Sequence, residues 1–85
     1  MQIELFTQDG CPPCEFLKNY LKEMNVSYIE YNVSKDENAK KRMMFELDSF
    51  STPTLIIDDE IIRGVQMDQI EAALRKKQGK QERQE

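Results

Sequence analysis

The only two cysteines of the chain, Cys11 and Cys14, lie in the string Asp9-Gly10-Cys11-Pro12-Pro13-Cys14-Glu15. Thiols two residues apart can cycle between dithiol and disulfide, and this pair stands where a strand-like run gives way to a helical period. A cysteine at a helix N-terminus sits beside unpaired backbone N–H groups and the positive end of the helix dipole, which favour thiolate over thiol. Cys11 is therefore the expected nucleophile. It would attack a partner disulfide to give a mixed disulfide, and Cys14, one turn away, would attack Cys11 and release the reduced partner. Pro12 and Pro13 stiffen the first helical turn, where their missing N–H groups would have had no intrahelical partner. Pro13 also removes one donor from the sulfur of Cys11, which leaves the N–H of Cys14 as the expected partner. Asp9 and Glu15 add negative charge and Lys18 lies one turn up, so a moderately acidic thiol is expected, not one fully ionised below about pH 5.

Competing readings of the pair are weaker. A structural zinc site takes about four nitrogen or sulfur ligands, and the chain has two cysteines and no histidine. A purely structural disulfide across so short a loop removes little unfolded-chain entropy. Two buried, inert cysteines are the remaining alternative, for which a Gly-Cys-Pro-Pro-Cys turn is an awkward setting.

The chemistry needs a strand that ends, and a helix that begins, at the pair. Residues 2–7, QIELFT, read as a first strand that stops at the turn cluster Gln8-Asp9-Gly10. Leu17, Tyr20, Leu21 and Met24 then fall at helical spacing, giving a first helix to about Asn25, and residues 26–33, VSYIEYNV, read as a second strand. Ser34 and Glu37 have capping-box spacing ahead of a second helix with an apolar stripe of Ala39, Met43, Met44 and Leu47. Thr52-Pro53 precedes residues 54–57, which pair as a hairpin with 61–64 across the polar turn Asp58-Asp59-Glu60. From these residues alone Pro53 reads as an ordinary strand-initiating proline, the alternative being a cis bond that would turn the chain sharply enough to face the cysteines. Val65, Ile70, Ala73 and Leu74 support a last helix ending near Lys77. The order β-α-β-α-β-β-α predicts an α/β domain. A right-handed parallel crossover joins the first two strands, and the hairpin completes a four-stranded mixed sheet flanked by helices.

The 85 residues fit one domain, expected over 1–78, with a polar, frayed tail over 79–85. The formal charge of -4, with twelve basic residues spread among sixteen acidic ones, weighs against nucleic-acid binding. Lys40-Lys41-Arg42 reads as a solvated helix face. No apolar run approaches the ~20 residues of a membrane span, and the start lacks the pattern of a secretory signal, so a soluble cytoplasmic monomer is expected.

Taken together, these residues resemble the glutaredoxins and the related NrdH-type redoxins, which donate electrons to ribonucleotide reductase. The resemblance covers roughly residues 1–77. It rests on Cys11-Pro12-Pro13-Cys14 after the first strand, Thr52-Pro53 before the hairpin, and Gly64 with Asp68 at the last helix. It implies a thioredoxin-like, glutaredoxin-type fold, a redox-active Cys11–Cys14 disulfide, and a cis peptide at Pro53, with the backbone of Thr52 pairing with the bound thiol partner. By the same resemblance Pro12, Pro13, Gln8, Gly64 and Asp68 join Thr52 and Pro53 in thiol binding. No metal and no tightly bound cofactor are implied. The partners implied are disulfide-containing proteins such as ribonucleotide reductase, with glutathione or a thioredoxin-reductase system as reductant.

The chain departs from both patterns. Glutaredoxins usually place a basic residue just upstream of the cysteines, where this stretch reads Thr7-Gln8-Asp9-Gly10, and Arg63 replaces the first glycine of a common Gly-Gly pair. The NrdH-type aromatic and Arg-Pro residues are also missing from Gly64-Val65-Gln66-Met67-Asp68. Arg63 or Lys41 could supply a cation to glutathione and Gln8 a hydrogen bond, although an exposed strand position is an equal reading of Arg63. Phe6, Phe16 and Phe50 are available to rim the site, with core packing the default for such aromatics. A non-catalytic binding module that uses the same groove is the alternative from another class. Dimeric iron–sulfur binding through Cys11 is disfavoured by the rigid Pro-Pro pair.

Overall fold

A computed structural model describes residues 2–82 of the chain. In chain order the elements are β1 (Ile3–Thr7), α1 (Pro12–Glu23), β2 (Ile29–Asn32), α2 (Glu37–Lys41) running on into a π-helical turn (Arg42–Glu46), β3 (Thr54–Ile57), β4 (Glu60–Arg63) and α3 (Met67–Glu82). The strands lie in the order β2-β1-β3-β4. β1 runs parallel to β2 and antiparallel to β3, which pairs antiparallel with β4. This is the expected mixed four-stranded sheet of the thioredoxin-like, glutaredoxin-type fold.

The period of two along the strands decides which helix covers which face. Ile3 and Leu5 of β1, Leu55 and Ile57 of β3 and Ile62 of β4 pack with Leu17 and Leu21 of α1 and Ile70, Ala73 and Leu74 of α3. The alternate residues Phe6 and Ile56 face the other way, against Ala39, Met43 and Leu47. Arg42 joins this second layer. Its guanidinium bonds Glu4 at 2.6 Å and lies 5.4 Å from the ring centre of Phe6 and 5.7 Å from that of Tyr31. The carboxylate of Glu4 raises the pKa of Arg42 above the ordinary guanidinium value, against an opposing effect of partial burial.

Several local details differ from the sequence reading. α1 ends two residues early because Asn25, at φ 61°, takes the left-handed position that closes a helix. The N–H of Asn25 then bonds the carbonyl of Lys22 and that of Val26 the carbonyl of Leu21. Val26 is thus part of the helix stop, and β2 is only Ile29–Asn32. The expected Ser34–Glu37 capping box does not form. Residues 33–36 turn, with the N–H groups of Lys35 and Asp36 both on the carbonyl of Asn32, so α2 starts later and Asp36 caps it by accepting from the N–H of Ala39 at 3.1 Å. The hairpin turn is Asp58-Asp59 alone, since Glu60 already pairs with Ile57. Val65 stays outside α3 and exposed, and Met67 packs against the core instead.

α3 continues past Lys77 through Gly79 to Glu82; a helical glycine costs only about 1 kcal/mol, and its neighbours are good helix formers. The rest of the expected tail, 83–85, lies outside the described residues. Among the described residues no helix is long and apolar enough to cross a membrane. The cap identifies a first test. Asp36→Ala should lower unfolding stability by about 1 kcal/mol in urea titrations, whereas Ser34→Ala should cost less than half of that.

Candidate functional site

β1 ends at Thr7, Gly10 turns the chain at φ 65°, and Cys11 takes the N-cap of α1 in an extended conformation, with Pro12 and Pro13 as the first two helical residues. The sulfur of Cys11 accepts the N–H of Cys14 at 3.3 Å, the donor expected once Pro13 had removed its own. The two cysteines form a disulfide, with Cα atoms 5.2 Å apart. They are not equivalent: Cys11 is 8% exposed and Cys14 1%. Cys11 is thus the more accessible of the two.

Facing the pair is the loop ahead of β3. The Thr52–Pro53 peptide is cis, and the hydroxyl of Thr52 lies 3.5 Å from the sulfur of Cys11 as a donor. The carbonyl of Pro53 accepts the N–H of Gly64 at 2.8 Å. Gly64 has φ 83°, a conformation that a residue with a Cβ adopts only with strain. Ser49 and Thr54, both buried, share a hydroxyl contact of 2.7 Å, and Thr54 also donates to the carbonyl of Ser51 at 2.9 Å. These buried hydroxyls thereby have partners within the protein.

The turn ahead of Cys11 is anchored as well. Asp9 accepts from the side chain of Asn32 at 3.0 Å, and its own N–H bonds the hydroxyl of Ser34 at 3.0 Å. Thr7, 2% exposed, donates to Glu30 at 2.8 Å, and Lys18 reaches the same carboxylate oxygen at 3.4 Å and Glu15 at 3.1 Å. Glu15 above all holds the pKa of Lys18 above the ordinary lysine value, against desolvation and with further help from Glu30. These contacts stitch β1, β2 and α1 together where the two cysteines sit. Sequence reading missed Thr7, Glu30, Asn32 and Ser34 in this setting, because nothing in their types or spacing separates them from ordinary strand and turn residues.

The other residues singled out in sequence fall in different places. Pro12, Pro13, Gln8 and Asp68 are exposed, Thr52 and Gly64 half-buried and Pro53 buried. Asp68 lies in the opening turn of α3. Phe6 is fully buried and stacks on Tyr31 at 5.2 Å, so it belongs to the core and not to the rim. Phe16 and Phe50, expected in the core, are instead 51% and 69% exposed, on α1 and in the loop before Thr52. Lys41 is exposed at the end of α2. Arg63 is an exposed strand residue, in line with one of its two sequence readings, and its guanidinium donates to the carbonyls of Leu47 and Asp48 at 2.7 and 3.2 Å.

The family model for glutaredoxin matches residues 3–62, from the first residue of β1 almost to the end of β4. The chain belongs to the glutaredoxin family. Among solved structures, the thioredoxin-like protein BC3987 is 43% identical, with 85% of this chain and 99% of that one covered at a TM-score of 0.82. A glutaredoxin-like 8.6 kDa protein from the rubredoxin operon of Clostridium pasteurianum is 28% identical over 74 residues, which are 87% of this chain and 99% of its own. The NrdH-redoxin of Escherichia coli shares the fold at 22% identity and a TM-score of 0.74, covering 85% of this chain and 93% of that one. Thiol–disulfide exchange is the general chemistry of glutaredoxin-family proteins, and here the family fold carries a cysteine pair at the start of α1.

Proposed function

We propose that this glutaredoxin-family chain is a dithiol thiol–disulfide oxidoreductase that reduces disulfides in proteins or small thiols. The observation that carries the reading is the asymmetry of the pair. The sulfur of Cys11 caps α1 and accepts the N–H of Cys14 and the hydroxyl of Thr52, and Cys11 at 8% exposure is the more accessible of the pair, Cys14 being 1% exposed. In the reduced protein the Cys11 thiolate attacks one sulfur of the partner disulfide. That S–S bond breaks, a mixed disulfide forms, and the departing sulfur takes a proton. Cys14 then loses its proton and attacks the sulfur of Cys11. The intramolecular disulfide is restored, the second partner sulfur leaves as a thiol, and two electrons have moved to the partner.

The electron source proposed is a thioredoxin-reductase-type flavoprotein in preference to glutathione. Of the two cations named for a glutathione carboxylate, Arg63 is bonded to backbone carbonyls and Lys41 lies exposed at the end of α2, while Lys18, the basic residue nearest the cysteines in sequence, is paired with Glu15 and Glu30 and Gln8 carries no charge. The reading takes the protein as a cytoplasmic monomer with no tightly bound cofactor, and ribonucleotide reductase is one candidate acceptor of the electrons. Pro12, Pro13, Thr52, Pro53, Gly64, Gln8 and Asp68 are the proposed surround for the partner's sulfur.

Two coupled assays test this, both following NADPH consumption. In one the Cys11–Cys14 disulfide is reduced by NADPH with thioredoxin reductase, in the other by glutathione with glutathione reductase. Faster turnover in the first is expected. Faster turnover in the second would overturn the choice of electron source, and no turnover in either, with a dithiol-reduced sample also unable to reduce a test disulfide, would overturn the activity.

A further inference from the structure

The loop from Asp48 to Pro53 is held at both ends by two consecutive residues of one strand end. Arg63, the last residue of β4, sends its side chain to the carbonyls of Leu47 and Asp48, where the loop begins. Gly64, immediately after it, gives its N–H to the carbonyl of Pro53, where the loop ends. Thr54, the residue after the loop, is the β-sheet partner of Arg63. Between the two attachments sits Thr52, whose hydroxyl meets the sulfur of Cys11. We infer that Arg63 is a positioning residue for the redox site, acting on Cys11 through this loop and Thr52 and not by binding substrate.

The physical case begins at the end of the helix that precedes the loop. The last carbonyls of a helix have no intrahelical donor and carry the negative end of its dipole, so they attract a cation with several N–H groups. Asp48 follows Leu47 with φ 52°, the left-handed step that ends the helix, and the N–H of Ser49 returns to the carbonyl of Met43 at 3.0 Å. This terminal turn would otherwise leave the carbonyls of Leu47 and Asp48 to water. The forked guanidinium satisfies both from across the sheet, which an ammonium on a flexible stem does less well. Arg63 thereby ties the helix end to β4 as the backbone of Gly64 ties Pro53 to the same place, and the span of loop that can move is short. The bond from Thr52 to the sulfur is long, at 3.5 Å. A small displacement of the loop would lose it.

The inference rests on the proposed exchange chemistry for its rate measurement but not for its thiol measurement. The reduced protein, its Arg63→Gln, Arg63→Lys and Thr52→Val variants, and the Arg63→Gln/Thr52→Val double variant are compared in two ways. One is the pH dependence of iodoacetamide alkylation at Cys11, located by peptide mass. The other is single-turnover reduction of hydroxyethyl disulfide. Arg63→Gln is expected to move the alkylation profile of Cys11 to higher pH and to slow reduction about fivefold, the scale of one lost hydrogen bond, with Arg63→Lys intermediate. Adding Arg63→Gln to Thr52→Val should change little further, because both act through one contact. Effects that multiply independently, or a lower melting temperature with an unshifted alkylation profile, would overturn the inference and leave Arg63 a plain structural brace. Should the wild type fail to reduce the disulfide, the proposed activity falls while the alkylation profiles still decide the role of Arg63.

Discussion

Cys11→Ala should abolish disulfide reduction, lowering kcat/KM at least about a thousandfold, the scale on which covalent catalysts lose rate with their nucleophile. No other group can take over. Cys14 is 1% exposed in the intact protein, which leaves it poorly placed to meet a partner disulfide. The fold should survive, because the Cys11–Cys14 bond closes too short a loop to constrain the unfolded chain strongly. The N-cap contact to Cys14 is lost, at a cost of about 1 kcal/mol. The measurement is NADPH-coupled turnover beside a urea unfolding curve and a titration of the variant with an oxidised partner. Turnover lost with the fold and weak binding retained supports catalysis through Cys11. An unchanged rate would mean that Cys11 does no chemistry and would overturn the mechanism through it, whereas no turnover by either wild type or variant, with partner binding retained in both, would make the chain a binding module using the same face.

The parts of the molecule readable from sequence are those where one local rule acts without competition. The switch from period two to period 3.6 at Gly10 places a strand end and a helix start on either side of Cys11, and the structure has both there. The apolar, β-branched residues on either side of the polar turn Asp58-Asp59-Glu60 likewise mark the hairpin. Reading failed where two local signals overlap. Ser34 and Asp36 are both good caps two residues apart, and the turn on the carbonyl of Asn32 decides for Asp36 while Ser34 is spent on the N–H of Asp9. VSYIEYNV has strand composition throughout, but Val26 is consumed in stopping α1 and only four residues align with β1.

The site shows the same division. Cys11, Cys14 and the prolines announce themselves by spacing, and the donor on the sulfur of Cys11 follows from which N–H the prolines leave. The remainder of the surround is made by contacts between residues far apart in sequence: Thr52 with Cys11 across 41 positions, Thr7 with Glu30 across 23 and Arg63 with Leu47 across 16. No local period encodes such meetings. Arg63 is the instructive case, since its residue type suggested either a ligand for a carboxylate or an idle surface charge. Its role is fixed instead by two carbonyls at a helix end that the sequence could not place beside it.

Cys14→Ser should stop the cycle halfway. The first attack needs only Cys11, so the variant should still open a partner disulfide. The serine hydroxyl is a poor nucleophile towards sulfur and not acidic enough to supply an oxyanion near neutral pH, so the mixed disulfide should accumulate. Intact mass of the prereduced variant mixed with an excess of a cystine-containing protein should show one covalent adduct per chain, removed by dithiothreitol. Multiple-turnover reduction should fall at least about a hundredfold. Wild type under the same conditions should show no lasting adduct, because Cys14 starts one helical turn from Cys11 and its attack is intramolecular. The same variant discriminates the electron source. Sustained turnover by Cys14→Ser with glutathione present would mean that an external thiol resolves the adduct, giving a one-cysteine route in which the second sulfur is dispensable. Loss of turnover under both reductants ties the reaction to the buried second thiol, as its proximity to Cys11 predicts.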